Sequence, residues 1–258
     1  MILMAILLLL LVVTLYGVGR LRGDLLTRGP VKLALSPGLL PDSLARTFAC
    51  LATATPIIGL SPWRDGTPFL IEGECPVNRI GVPLATLFRL LVLFSAFIAV
   101  VLLLPAAAAT VPDPETLSHA YEKGIGTLIT TVLVAPFSWL GTGLISWWTL
   151  AWLGAMVMAA GLRPGETASA FLVSGGVIAL LEGAHWLGLQ FGVFSNGWFL
   201  QRFYEADAGR ALVFLVLVSV MTLTVLAAMH WIPMLIQRLR PRPIQWDDQK
   251  QDRFVIGS

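Results

Sequence analysis

Charge is what this chain has least of. Only 12% of its residues are Asp, Glu, Lys or Arg against 57% hydrophobic, about half the charged share of a water-soluble domain, and a soluble fold could not bury that much apolar surface. Lysine is reduced to Lys32, Lys123 and Lys250, and a net charge of +2 argues against nucleic acid as a partner. Two cysteines, Cys50 and Cys75, have no C-x-x-C metal-ligand spacing and are expected to be reduced on the cytoplasmic side, whereas a disulfide between them would point to the reversed topology. A nucleotide-binding loop, an H-E-x-x-H motif, a nucleophile elbow and a usable Ser–His–Asp pattern are all missing. So are the inverted repeats that build many secondary transporters.

Long apolar runs are what the chain does have. The first covers residues 2–19, about 18 residues, just enough to cross a hydrocarbon core of roughly 30 Å. No charge precedes it and Arg20 and Arg22 follow it, so it reads as a retained anchor with its N-terminus outside, not as a cleaved signal. Further runs lie near 82–109, 167–194 and 211–235. A stretch at 125–160 would be about 54 Å long as one helix, and Pro136, Gly141 and Gly143 are places for it to break.

The distribution of basic residues decides between five spans and six. With five, Arg20, Arg22, Arg28, Lys32, Arg46, Arg64, Arg79, Arg163, Arg238, Arg240, Arg242, Lys250 and Arg253 fall on the inner side, which is 13 of the 17 basic residues. Arg89 then snorkels from within the second span to its inner end. Splitting the third stretch gives roughly 9 inside and 7 outside, a poor fit to the positive-inside rule. The expected fold is an all-α polytopic membrane bundle of five transmembrane helices, six if the third is split, with the N-terminus outside and the C-terminus inside.

The expected organisation is an anchor at 1–19, a cytoplasmic loop at 20–81, a four-helix membrane bundle at 82–235 and a cytoplasmic tail at 236–258. Within the loop, Leu44, Phe48, Leu51, Thr55 and Ile58 recur at helical spacing with Arg46 on the other side. This predicts an amphipathic helix near 42–60 lying on the membrane or on the protein's own spans. The two prolines of the tail, Pro241 and Pro243, hold it extended, and Trp246 and Phe254 are its candidate partner-binding residues.

Chemistry in a membrane should involve charged or metal-binding groups, because their desolvation must be compensated. Glu182 and His185 form E-x-x-H in the fourth span, near one helix face. With His119 from the outer loop they are the candidate polar or metal-binding cluster, set against a structural role in which Glu182 is protonated or hydrogen-bonded to a neighbouring helix. A di-iron site needs two such pairs and further glutamates. His185 and His230 lie roughly 20 Å apart along the membrane normal, too far for one haem iron. The fourth span also carries two rows of small residues, Gly175, Ala179 and Gly183, and Ala184, Gly188 and Gly192, which permit close packing on two sides.

These features favour a non-catalytic membrane subunit, or an assembly or stabilising factor, of a larger membrane complex. Its expected partners are lipids and other membrane subunits or copies of itself, with bound lipid the one cofactor class suggested. The alternative is a small permease or channel with Glu182 and His185 on the pathway, and after it a metal- or lipid-dependent membrane enzyme. Arginine in place of lysine, with abundant Leu, Ala and Gly, fits a GC-rich bacterial genome and so an inner membrane.

Overall fold

A computed structural model of the chain describes residues 2–23, 29–64, 67–73, 78–104, 111–112, 114–140, 143–162, 165–192 and 207–239. In chain order these form α1 (Ile2–Leu21), α2 (Gly29–Ala52), β1 (Ile57–Arg64), β2 (Thr67–Glu72), α3 (Asn78–Leu103), α4 (Pro114–Glu122), α5 (Ile125–Leu140), α6 (Leu144–Ala160), α7 (Glu166–Gln190) and α8 (Asp207–Leu239). Among the described residues the regular structure is helical apart from one antiparallel hairpin, in which β1 pairs with β2 through Ile57 opposite Glu72 and Leu60 opposite Leu70. Four helices, α1, α3, α7 and α8, are long and apolar enough to cross a bilayer, and α6 is a shorter apolar helix.

The 125–160 stretch holds two helices, α5 ending at Leu140 and α6 starting at Leu144. Gly143 there has φ 143°, a conformation that side chains with a Cβ rarely adopt. Helix α5 packs mainly on α4 and α8 and makes few contacts with α6, so the two do not fold back on each other as a helical hairpin.

Helix α8 is the axis of the bundle. Its residues Ala211 to Val218 are all buried, and Phe214 meets Phe97 of α3 edge to face with ring centroids 5.5 Å apart. Against it α1 presents Met4, Leu7, Leu11, Leu15 and Val18, the three-and-four spacing of one helix stripe. Buried hydroxyls do not disturb this packing: Ser219 and Thr222 donate to the carbonyls of Leu215 and Val218 in their own helix, which leaves neither hydroxyl with an unused donor. Between apolar helices in lipid there is no hydrophobic driving force, so this interlocking is what holds them together.

The loop helix differs from the expected one in extent. It runs from Gly29 to Ala52, not from 42 to 60, and continues through Pro37 and Pro41. Its end is a Schellman turn: the N–H of Thr55 donates to the carbonyl of Cys50 and that of Ala54 to Leu51, with Ala54 at φ 52° in the position usually given to glycine. Pro56, with no N–H, follows, and the hairpin begins.

Helix α2 packs on α6 and α3. Gly38 makes the crossing with α6 possible, because a Cβ at this position would collide with the backbone of Ala155 and Met156. The turn after α6 is tied to α1 in the same manner: the N–H of Leu162 donates to the carbonyl of Leu15 at 3.1 Å, and Gly19 lies directly against the Leu162 backbone.

Candidate functional site: a buried ionic clasp

Where α1 and α6 end and α7 begins, the bundle encloses a group of charges. Arg89 of α3 has a side chain only 4% exposed and serves three acceptors. Its Nε donates to Asp42 Oδ1 at 2.6 Å, its Nη1 to Glu166 Oε2 at 2.7 Å and its Nη2 to the carbonyl of Ala159 at 3.2 Å. Arg46, one turn beyond Asp42 on α2, pairs with Asp42 Oδ2 at 3.1 Å and approaches Glu166 Oε1 at 3.8 Å. Arg22, just past the end of α1, donates to the carbonyls of Met158 and Ala159.

The helix ends explain why these residue types sit there. The last carbonyls of α6 lack intrahelical partners and carry the negative end of its dipole, and Arg22 and Arg89 cover them. Glu166 stands in the first turn of α7, where the dipole favours an anion. The planar fork of arginine lets one side chain reach two carboxylates and a carbonyl, which a lysine ammonium cannot do with the same geometry. Four helices, α2, α3, α6 and α7, are thereby joined at one point. The arrangement ties α2 to the bundle through paired charges.

The candidate polar cluster fares differently. His119 is exposed on α4 and pairs at 3.4 Å with Glu122 of its own helix. His185 on α7 is half-buried. Glu182 is exposed on the outside of α7, with no hydrogen bond or ion pair to another described residue. Among the described residues no three His, Cys, Asp or Glu side chains gather as metal ligands. Trp246 and Phe254 lie outside the described residues.

The small-residue rows of α7 also face outward for the most part. Only 11% of the α7 span is buried, against 56% of α8. Open space surrounds Gly175, Gly176 and Gly183, with nothing within 4 Å of where a Cβ would stand. Ala179 and Ala184 are exposed, and Gly188 is the one member of the rows that is buried. The inner side of α7 borders an apolar groove of about 270 Å³ shared with α1, α3 and α8, where Ser174 is the one hydroxyl among side chains such as Leu8, Phe94, Val177 and Leu212.

The clasp was the part hidden from sequence. Arg89 reads as a snorkelling residue at a span end, yet an arginine well inside an apolar helix also demands a counter-ion. Asp42 and Glu166, each next to an apolar stretch, were the available carboxylates. Compared with family models, curated proteins and solved structures, the chain finds no match.

Proposed function

We propose that this chain is a non-catalytic integral membrane subunit, or an assembly factor, of a larger membrane protein complex. The observation that carries the reading is the uncovered face of α7. Gly175, Ala179 and Trp186 share it with Glu182, and a carboxylic acid facing hydrocarbon costs about 2.5–3.5 kcal/mol on insertion scales unless donors from a neighbour cover it. A partner helix that brings a hydrogen-bond donor to Glu182 and packs against the glycines would offset that cost. A different chain supplies that donor, or a second copy does through the indole N–H of its Trp186, which shares the face. Positive-inside charge supports a cytoplasmic location for the clasp end, with the N-terminus outside; the arginine-rich composition supports a bacterial inner membrane.

The test is a photo-crosslinking residue at Ala179, followed by extraction of native membranes in mild detergent. Expected is an adduct to one membrane protein that co-purifies in fixed ratio, with the yield reduced several-fold by Glu182→Gln and unaffected by Glu122→Gln on the remote α4. A chain that extracts alone, with lipid as its sole adduct, overturns the reading.

A further inference from the structure

Helix α2 is built inside out for a helix in water. Two of its charged residues, Asp42 and Arg46, point inward into the clasp, together with Ala45, Ala49 and Cys50, which are all under 5% exposed. Its opposite face carries Leu40, Leu44, Phe48 and Leu51 at 40%, 57%, 57% and 66% exposure. At 100° per residue these four fall within an arc of about 80°, with Pro37 in the same arc. A surface helix of a soluble domain does the reverse.

The polar groups bordering this arc follow the same rule. Ser43 donates to the carbonyl of Leu40 at 2.8 Å and Thr47 to that of Ser43 at 2.8 Å. Both hydroxyls are thus satisfied inside the helix, as backbone and hydroxyl groups must be where no water can reach them. The helix that carries this stripe packs on α3, which is long and apolar enough to cross a bilayer, and on the shorter apolar α6.

We infer that α2 is a membrane element: the Leu40–Leu44–Phe48–Leu51 stripe lies among the acyl chains of the bilayer, and the ionic clasp is what permits a segment carrying Asp42 and Arg46 to sit there. The region between the first and second long spans is then not a cytoplasmic loop in its first half. It is a lipid-facing helix whose Asp42 and Arg46 are neutralised against α3 and α7, and the polar surface starts beyond its Schellman turn. This placement holds whether or not the chain works in a complex.

Nitroxide labels at Leu44→Cys and Phe48→Cys, in a Cys50→Ser, Cys75→Ser background and in phosphatidylethanolamine–phosphatidylglycerol vesicles, test it. Oxygen concentrates in hydrocarbon and a nickel chelate in water, so both labels should relax with oxygen and lose nickel access, as at Leu9→Cys on the outside of α1. Lys123→Cys, exposed on the turn after α4, should show the opposite. Nickel access at residues 44 and 48 equal to that at 123 places the helix in water and overturns the inference. Low access to both probes means that a second copy covers the stripe and overturns it equally. A diazirine-bearing residue at Phe48 in the otherwise unaltered chain guards against misfolding of the cysteine-free background: phospholipid adducts are expected, and solvent or peptide adducts refute the placement.

Discussion

Replacing Arg89 with methionine should release α2 from the bundle. The substitution keeps a long unbranched side chain, so packing is largely preserved, but it removes the donors to Asp42, Glu166 and Ala159. Arg46 is then left 3.1 Å from Asp42 and 3.8 Å from Glu166, with Arg22 acting on Asp42 from farther away. Removing one partner of a buried ion pair costs about 3–5 kcal/mol, because a desolvated charge is left behind.

Cys50 reports that cost directly. It lies on the inner face of α2, 4% exposed, so a maleimide reaches it when α2 opens, and the labelling rate follows the open population. At 1.36 kcal/mol per tenfold, 3–5 kcal/mol raises the rate roughly a hundredfold to a few thousandfold. The measurement needs a Cys75→Ser background and no reversible unfolding, an advantage for a membrane protein. Adding Glu166→Gln to Arg89→Met restores neutrality around the remaining Asp42–Arg46 pair and should recover most of the loss. What remains is the missing hydrogen bonds, about 1–3 kcal/mol. A single variant that labels less than about tenfold faster, or a double variant that labels faster than the single, would refute an electrostatic clasp.

Two smaller changes test the local geometry of α2 by the same assay. Ala54→Gly relieves a residue held at φ 52° and should stabilise the end of α2 by up to about 1 kcal/mol, seen as slower labelling of Cys50; faster labelling would deny that the Schellman turn is strained. Gly38→Ala drives a methyl into the backbone at Ala155 and should cost about 1–3 kcal/mol, whereas Gly126→Ala, with open space around it, should cost nothing; equal effects would mean that α2 and α6 are not in close contact.

The long helices were legible because apolar runs of sufficient length leave one regular choice; Pro136, Gly141 and Gly143 offered a place for the 125–160 stretch to divide, but the charge count favoured leaving it as one span. The loop helix was legible in kind but not in extent. Its periodic residues mark one face, and continuation upstream through Pro37 and Pro41 runs against the ordinary meaning of proline. Its end at Ala54 carries no glycine to announce it. The orientation of its faces was not legible at all: the pattern Leu44, Phe48, Leu51 with Arg46 opposite is the same whether the apolar side meets protein or lipid.

Sequence by itself determined the solvent of this protein. Hydropathy is a local, additive property, and long apolar segments with few charges are enough to put helices in a bilayer. Only the tertiary structure decided which charges meet. Asp42 and Arg89 are 47 residues apart and Arg89 and Glu166 are 77 apart, and no periodicity spans such distances. It also decided that α8 is enclosed while α7, equally recognisable as a span, stays nearly bare. Enclosure depends on which helices are neighbours, and that is settled by close approach at Gly19 and Gly38 and by the ionic contacts of Arg89.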